Sequence, residues 1–409
     1  MARYRKQRND LKINIKRLIC ILLFLIIVFF LVIIVKKPFF DNTSKETFQD
    51  NIISEQSEKK EEPITFTMTA LGDSLCHNTQ YWDAYNNQTK EYNFSYVYED
   101  IIDYTKNSDI TIGSLETTFA GEERGYSNYP TFNTPDSLAT ALKNIGVDII
   151  SLAGNHALDY GYTGLCRTID VLDNAGISHL GTYKTAEDQE KLLLKNVNGV
   201  NIAFINYTYG TNGIPVPSGK EYCVNLIDKD LIKRQIEQAK SLNVDIIITC
   251  MHWGTEYRTT ANSEQKELAD FLFQNGVDII LGNHPHVIEP MEKRTITLED
   301  GTEKEVFVVY ALGNFTADQR DEITRDSAIL NLTITKNSNG KISIDKVDYV
   351  PIYMYKNRNA STHKFKILDI EKSISEYEAG TNTSISSSTY NNLKVQLEKI
   401  KSILGEEIN

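Results

Sequence analysis

The sequence has few cysteines, and none of them stands in a metal-binding spacing. Five cysteines are spread over 409 residues, and Cys76, Cys166, Cys223 and Cys250 form no CxxC pair. A zinc finger is therefore excluded, and four thiols in so long a chain do not make a disulfide framework. We expect buried, unpaired thiols, because a free cysteine packs like a small hydrophobic residue.

Two signatures of catalysis are also missing. The segment GIPVPSGKE resembles a phosphate-binding loop, but it has one residue too many between its glycines. Glu221 also stands where that loop requires serine or threonine. No Gly-x-Ser-x-Gly nucleophile elbow is present. The sequence therefore gives no sign of an ATP-driven ligase or of a serine hydrolase of that type.

Acidic residues outnumber basic ones outside the N-terminus. The formal net charge is −12, but residues 1–17 alone carry +6, which leaves −18 for the remainder. An acidic body excludes nucleic acid as a partner, because phosphate backbones are bound by lysine and arginine. It also disfavours unaided binding of any polyanion, unless a metal ion or a local basic patch reverses the field.

One apolar run, residues 18–35, is long enough to cross a membrane. It follows the basic residues 1–17 and precedes Lys36 and Lys37. No small-residue cleavage site follows it, as a signal peptide requires, and Cys20 lies too near its start for a lipoprotein cysteine. We therefore expect an uncleaved, single-pass anchor in the cell membrane, with residues 1–17 cytoplasmic and the remaining chain extracytoplasmic.

The rest of the chain divides into three parts. Residues 41–62 are polar, acidic and poor in aromatic residues, so we expect a flexible linker over residues 36–63. A domain of alternating strands and helices is predicted over residues 64–355. Residues 356–409, which become rich in serine, threonine and asparagine, are expected to form a peripheral C-terminal extension.

Short apolar segments alternate with helix-like segments through the predicted domain. The strand candidates are residues 109–115, 147–152, 202–207, 245–251, 277–281 and 306–312. The helix candidates are residues 135–145, 164–175, 228–242 and 263–274. This alternation predicts an α/β fold with a parallel or mixed sheet. Residues 328–335 and 341–349, on either side of NSNG, predict an antiparallel hairpin.

Three helix–turn–strand units end in histidine-bearing loops. NIGVDIISLAGNHALD, NVDIIITCMHWG and QNGVDIILGNHPHV share this plan. Ligands bind at the carboxyl ends of the strands in α/β sheets. We therefore expect the three loops to converge on one edge of the sheet.

The polar residues after these strands are of types that bind metal ions. They are Asp73, Glu116, Asn155, His156, His252, His284 and His286. Imidazole and carboxylate groups are usual ligands of zinc, manganese and iron, and a carboxylate can bridge two ions. Structural interpretations stay open: Asp73 could cap a helix, Gly-Asn-His could be turn chemistry, and His252 could lie in the core. The placement of so many histidines after apolar strands favours metal or substrate binding.

Taken together, these motifs resemble a known family. GDS, SLE, GNHALDYG, HWGTEY, GNHPHVIEP and ALGNF occur in the order, and at about the spacing, of the CapA family of poly-γ-glutamate capsule proteins. That family resembles the calcineurin-like metallophosphoesterases, which implies a four-layer αββα sandwich. Family members are typically anchored by one membrane span with the domain outside, in agreement with the N-terminal run.

The resemblance implies a role for each candidate ligand. Glu116 would stand at the bridging position between two divalent ions, and Asp73 would match the aspartate of the first motif. One ion would be completed by Asn155, His252 and His284, and the other would be bound by His286. The resemblance also implies that His156 faces the substrate as a general acid or electrostatic stabiliser, oriented by Asp159. Glu256 and Asn314 would support the ligands from behind.

The first motif departs from the phosphoesterase pattern. Metallophosphoesterases usually have Asp-x-His there, whereas Asp73 is followed by Ser74 and Leu75. His77 could take the place of that histidine only if its loop bends back. The site around Asn155, His252 and His284 is therefore expected to be the more complete one.

Two functions stay open on the sequence alone. In the first, the protein is a component of the synthesis or export of an anionic capsule polymer resembling poly-γ-glutamate. It would then contact membrane-embedded synthase subunits, and metal would offset the charge of the polymer. In the second, the protein is a surface metal-dependent hydrolase that cleaves a phosphoester or an amide. A binding module with a vestigial site is a third interpretation.

Overall fold

A computed structural model describes residues 62–382 and 384–408. The predicted basic tail 1–17 and membrane anchor 18–35 lie outside these residues, as does nearly all of the predicted linker 36–63. Among the described residues, no helix is both long enough and apolar enough to cross a membrane.

The described residues form sixteen strands and nine α-helices. The strands are β1 (Ile64–Ser74), β2 (Tyr85–Asn86), β3 (Glu91–Tyr92), β4 (Ile110–Leu115), β5 (Ile149–Ser151), β6 (Ser178–Leu180), β7 (Leu193–Val197), β8 (Val200–Thr208), β9 (Ile246–His252), β10 (Ile279–Asn283), β11 (Met291–Thr297), β12 (Glu303–Val309), β13 (Asn314–Thr316), β14 (Asp326–Lys336), β15 (Ile342–Lys356) and β16 (Phe365–Asp369). The helices are α1 (Asn78–Ala84), α2 (Ile102–Lys106), α3 (Ser137–Asn144), α4 (Gly161–Ala175), α5 (Ala186–Gln189), α6 (Lys229–Ser241), α7 (Ser263–Gln274), α8 (Ile370–Glu378) and α9 (Ser387–Leu404).

Most of the described strands belong to two mixed sheets. The larger sheet has the strand order β16-β15-β14-β1-β4-β5-β6, and β13 pairs in parallel with the end of β1. The smaller sheet has the order β11-β12-β10-β9-β8-β7. The run β1-β4-β5-β6 is parallel in the first sheet, and so is β8-β9-β10-β12 in the second. The mixed α/β fold predicted from the alternation of elements is therefore confirmed.

The two sheets pack face to face, with helices on their outer faces. Because side chains alternate along a strand, Phe204 of β8 joins the core between the sheets, whereas its neighbour Ile205 packs under helices. Residues of β1, β4, β9, β12 and β14 fill the same central core. Outside it, α6 and α7 cover the smaller sheet, while α3 and α4 cover the larger one. The layers are thus helix, sheet, sheet and helix.

The predicted elements agree with the observed ones to within three residues at each end, except that the strand predicted over 341–349 extends to Lys356. The helix predicted over 263–274 coincides with α7, and the predicted hairpin around NSNG is the antiparallel pair β14–β15. The helix–turn–strand units are present as α3–β5, α6–β9 and α7–β10. One expectation was wrong: β5 belongs to the larger sheet, whereas β9 and β10 belong to the smaller one. The histidine loops therefore extend from two sheets rather than from one edge of a single sheet.

The last part of the chain is integrated into the domain. Strand β16 pairs with β15 at the edge of the larger sheet. Helix α9 buries Leu393, Ile400 and Leu404 in the same apolar cluster as the inter-sheet core. The expectation that residues 356–409 form a peripheral extension was therefore wrong. The amphipathic pattern of α9 provides an apolar stripe, and the domain buries that stripe.

The four cysteines among the described residues are free thiols. Cys76, Cys223 and Cys250 are buried, and Cys166 is partly exposed. This agrees with the thiols predicted from their spacing, which pack with apolar neighbours instead of forming disulfides.

Candidate metal centre

The candidate ligands meet where the carboxyl ends of the parallel strands of both sheets come together. Asp73 lies at the end of β1, in register with Ser114 on β4 and with Asn314 on β13. From the smaller sheet, His252 ends β9 and pairs in register with Asn283, the last residue of β10. Parallel pairing therefore brings residues that are far apart in the sequence to one point between the sheets.

Glu116 lies at the middle of this cluster. Its side chain is buried, and within the described residues neither carboxylate oxygen has a hydrogen-bond partner. Oε1 lies 3.8 Å from Nε2 of His252, and Oε2 lies 3.6 Å from Nδ1 of His286. A buried carboxylate without a partner is strongly unfavourable unless a cation compensates it. This geometry fits a bound metal.

Two groups of possible ligand atoms share Glu116. Glu116, His252 and His284 form the first group, in which the ligand atoms lie within 4.8 Å of one another. The second group consists of Asp73, Glu116 and His286 and meets the same limit. A carboxylate common to two such groups has the arrangement of a bridge between two ions.

Asp73 is held by two hydrogen bonds. The hydroxyl of Ser114 donates to Oδ1 at 2.7 Å, and the backbone N–H of His284 donates to Oδ2 at 2.8 Å. Burial nevertheless raises the pKa of Asp73 to about 6. The close approach that places Asp73 here requires Gly72, because a Cβ on that residue would lie 2.0 Å from the carbonyl oxygen of Gly313.

The three histidines of the cluster are buried and neutral. Burial lowers the pKa of His284 to about 3 and that of His286 to about 4, and it lowers the pKa of His252 well below its ordinary value. Burial also raises the pKa of Glu116 well above its ordinary value. The His–carboxylate contacts are therefore not ion pairs in the absence of a metal. Neutral imidazole is the form that offers a lone pair to a metal.

His284 and His286 both have left-handed backbone conformations, with φ of 104° and 62°. Such angles are uncommon for residues other than glycine, and they concentrate at functional sites. The turn that contains both residues turns their imidazoles toward the cluster. The ring of His284 also packs against that of Tyr209, with centroids 4.5 Å apart.

Asn155 and Asn314 each contact one of the histidines. Oδ1 of Asn155 lies 2.9 Å from Nε2 of His252, close to the ~3 Å that separates adjacent ligands around an ion with bonds of about 2.1 Å. Oδ1 of Asn314 lies 3.0 Å from Nδ1 of His286, and its amide nitrogen donates to the backbone carbonyl of Thr324. Each amide oxygen is thus at hydrogen-bonding distance from a ring nitrogen of a candidate ligand and holds that ring in orientation.

His156 and Asp159 form a hydrogen-bonded pair beside the cluster. Nδ1 of His156 lies 2.7 Å from Oδ2 of Asp159, which also accepts the backbone N–H of Phe132 at 2.6 Å. The amide nitrogen of Asn212 lies 3.3 Å from Nε2 of the same imidazole. Asp159 thus fixes the orientation of His156, and Asn212 covers its other nitrogen.

A cavity of about 800 Å³ opens beside this pair and the cluster. Both His156 and His286 line it, as do the exposed side chains of Glu256, Tyr129 and Tyr257. A molecule in the cavity would therefore contact the candidate metal centre directly. The resemblance implied that Glu256 lies behind the ligands. In the structure it borders the cavity instead.

His77 does not belong to the metal-ligand groups found among the described residues. It lies at the start of α1, where its Nδ1 accepts the backbone N–H of Asp318 at 3.1 Å. Its ring lines the cavity together with His286. The structure therefore places Asp73, Glu116 and His286 together without the histidine expected of an Asp-x-His motif.

Sequence reasoning missed several residues that shape the site. Ser114 belongs to the SLE motif, and its place two residues before Glu116, at the end of a strand, is the signal that could have identified it. Asn212 lies in a loop without periodicity and far from the motifs in sequence, whereas Asp318 follows the ALGNF motif by three residues but has no periodic pattern. Only the folded chain brings them to His156 and His77.

Comparisons with known proteins agree with the motif pattern. The family model described as bacterial capsule synthesis protein PGA_cap matches residues 67–319. A capsule biosynthesis protein CapA of Bacillus anthracis is 27% identical over 295 residues, which cover 70% of this chain and 68% of that protein. A PGA biosynthesis protein CapA of Bacillus subtilis (strain 168) is 32% identical over 215 residues, which cover 51% of this chain and about half, 52%, of that protein.

Among solved structures, the NAD nucleotidase NadN of Haemophilus influenzae has a TM-score of 0.45 and 14% identity, covering 84% of this chain and 61% of that one. A 5′-nucleotidase precursor of Thermus thermophilus has a TM-score of 0.43 and 14% identity, covering 71% and 55%. Similarity at this level does not bear on activity. The family model spans more than half of the sequence, and the chain therefore belongs to the bacterial capsule synthesis protein family PGA_cap.

Proposed function

We propose that this chain is a membrane-anchored, extracytoplasmic component of the synthesis or export of an anionic capsule polymer of the poly-γ-glutamate type. Membership of the capsule synthesis family and the names of the Bacillus relatives support the polymer. The apolar run 18–35 and its flanking charges support the anchor. Membrane-embedded synthase subunits are the proposed partners, because an anchored chain lies beside them in the same bilayer.

We further propose that the domain holds two divalent ions. The observation that carries this proposal is Glu116, a buried carboxylate without a hydrogen-bond partner among the described residues, shared by two groups of ligand atoms. The six proposed ligands are Asp73, Glu116, Asn155, His252, His284 and His286. Nitrogen and oxygen donors without a thiolate fit manganese, iron or zinc.

The metal would give an acidic protein a means to bind an acidic polymer. The body of the chain has an excess of negative charge, so it repels a run of carboxylates. Divalent ions bound at the centre would supply positive charge and Lewis-acid chemistry. The protein's own part is to orient the ligands, and the cavity lets one segment of the polymer reach them.

Polymer binding by the full chain in detergent micelles tests this proposal. After chelation we expect binding of purified poly-γ-glutamate to weaken at least about tenfold, and manganese should restore it. Glu116→Gln should lose this metal response, whereas Glu267→Gln, an exposed position on α7, should keep it. Equal binding with and without metal would reject the metal-mediated function, and no binding at all would reject the polymer.

A surface hydrolase is a second candidate function, and the His156–Asp159 pair favours it. A histidine that is oriented by a buried carboxylate and faces a cavity can act as a general acid and donate a proton to a leaving group. In a phosphodiester assay with manganese, His156→Ala should then lower turnover by about 10²- to 10⁴-fold. His363→Ala, at a histidine that stacks on Tyr96, is the matched control. A metal-loaded chain without any turnover would exclude this candidate.

A further inference from the structure

The cavity beside the candidate metal centre contains hydrogen-bond donors that no part of the proposed metal chemistry uses. His77, Gln319 and Arg320 all line it. They lie on two segments that are tied together, since Nδ1 of His77 accepts the backbone N–H of Asp318 at 3.1 Å. Two neighbouring segments therefore present nitrogen donors to the same space.

His77 is a fixed donor. Its side chain is almost fully buried, with 9% of the residue exposed. Because Nδ1 accepts a backbone N–H, the proton of the neutral imidazole lies on Nε2. The ring of His77 lines the cavity. Burial lowers the pKa of His77 to about 4, so the imidazole stays neutral near pH 7.

Gln319 is oriented in a similar way. Its Oε1 accepts the amide N–H of Asn314 at 2.9 Å, which leaves the amide nitrogen of Gln319 as a donor. Arg320 follows directly, and its side chain is exposed. It forms no ion pair with the carboxylates of the described residues, so its guanidinium is available to a ligand.

The loop that carries these donors is held in place by Asp318. The carboxylate of Asp318 pairs with Lys356, lies 3.7 Å from the guanidinium of Arg325 and accepts a hydrogen bond from the hydroxyl of Thr79. Its charge is therefore neutralised, although it lines the cavity. The loop position is set by these contacts before any ligand arrives.

The cavity lining carries charges of both signs. Besides the neutralised Asp318, the carboxylates of Glu256 and Asp321 line the cavity and are exposed, against one free guanidinium. One guanidinium with amide and imidazole N–H groups matches the two oxygens of a carboxylate.

We propose that His77, Gln319 and Arg320 form a subsite for one carboxylate group of an acidic substrate, next to the candidate metal centre. The identity of that substrate as an acidic amide-linked chain rests on the proposed function. The subsite adds a contact that depends on side-chain donors and not on bound ions. The donors and His286 line the same cavity, so one acidic chain can contact both.

Calorimetric titration of the full chain in detergent micelles tests the subsite. The probes are a short γ-linked glutamate oligomer, the corresponding glutamine oligomer, which lacks the charge, and inorganic phosphate. Arg320→Gln should weaken binding of the glutamate oligomer about 10- to 100-fold, because a hydrogen bond to a charged group is lost. Binding of the glutamine oligomer should change less than about twofold by the same argument.

Two further variants sharpen the experiment. Gln319→Glu keeps the acceptor for Asn314 but places a negative charge beside the ligand. It should therefore also weaken binding of the glutamate oligomer, by about tenfold or more. Arg358→Gln, at an exposed arginine that does not line the cavity, should leave every affinity unchanged. Circular dichroism and metal content, measured on each variant, establish that it is folded.

The inference is overturned if Arg320→Gln binds the glutamate oligomer with wild-type affinity. It is equally overturned if the affinity of this variant falls by the same factor for both oligomers. It is also overturned if phosphate binds more tightly than the glutamate oligomer in an Arg320-dependent manner. The metal content of the wild type distinguishes a failure of the subsite from a failure of the proposed function. A metal-free wild type with Arg320-dependent binding supports the subsite and rejects the metal centre, whereas binding of neither oligomer rejects the subsite and the polymer.

Discussion

Replacing Glu116 by glutamine should have opposite effects on stability with and without metal. The carboxylate is buried and has no hydrogen-bond partner among the described residues, so in the absence of a cation its negative charge destabilises the fold. Glutamine keeps the shape and removes the charge. Leaving a buried charged group unsatisfied costs about 2–3 kcal/mol or more, so metal-free Glu116→Gln should be more stable than the wild type by roughly that amount.

The stability difference between metal-free Glu116→Gln and the metal-free wild type depends on pH. Burial raises the pKa of Glu116 in the folded chain above its value in the unfolded chain. The contribution of the wild-type carboxyl to the free energy of unfolding is therefore fully present below the pKa of the unfolded chain, and it is lost as the pH rises through the pKa of the folded chain. The advantage of Glu116→Gln should accordingly be largest at alkaline pH and should vanish at acidic pH, where the wild-type carboxyl is protonated.

With metal the order should reverse. A ligand at about 100 times its Kd stabilises the folded state by about 2.7 kcal/mol, and Glu116→Gln loses the carboxylate that both proposed ions share. Thermal unfolding of the full chain, followed by circular dichroism with chelator and then with manganese, measures both effects, with Glu267→Gln as the control. A metal-free Glu116→Gln less stable than the wild type, or one with the full metal-induced shift, would refute the reasoning.

Three other predictions concern the fold around the site. Leu393→Ala on α9 should lower the free energy of unfolding by about 2–5 kcal/mol in chemical denaturation, whereas Val395→Ala, at a half-exposed position on the same helix, should change it by less than about 0.5 kcal/mol. Gly72→Ala places a Cβ 2.0 Å from a backbone oxygen and should lower the unfolding temperature or prevent folding, whereas Gly210→Ala meets nothing within 4 Å and should not. Burial raises the pKa of Asp326 to about 7, so Asp326→Asn should stabilise the chain by roughly 1–3 kcal/mol above pH 7 and lose this advantage as the pH falls toward 4.

The sequence predicted the parts of the fold that depend on local pattern. The Val-Asp-Ile-Ile segments lead into buried strands. His252 lies at the end of one of these strands, and His284 and His286 lie just after another, as their positions after apolar runs indicated. Alternation along a strand identifies its buried faces. It does not show which strands pair, because pairing joins residues that are distant in the sequence. The division of the three units between two sheets was therefore not predictable from the pattern.

The site was predicted to a similar extent. Motifs supplied the residues that the structure brings around Glu116, and the pair of His156 and Asp159. They did not supply Asn212, which contacts His156 from a turn with no apolar periodicity. Nor did they supply the donors on the loop after Asp318, whose position depends on Lys356 almost forty residues later. Loops are placed by such distant contacts, and a single sequence does not reveal them.

The number of metal ions per chain tests the central proposal most directly. Elemental analysis of the full chain, saturated with manganese and freed of unbound metal, should find two ions in the wild type. Glu116→Gln should hold fewer, because both groups of ligand atoms include that carboxylate. A wild type that retains no ion, or a Glu116→Gln variant that still holds two, would contradict the account.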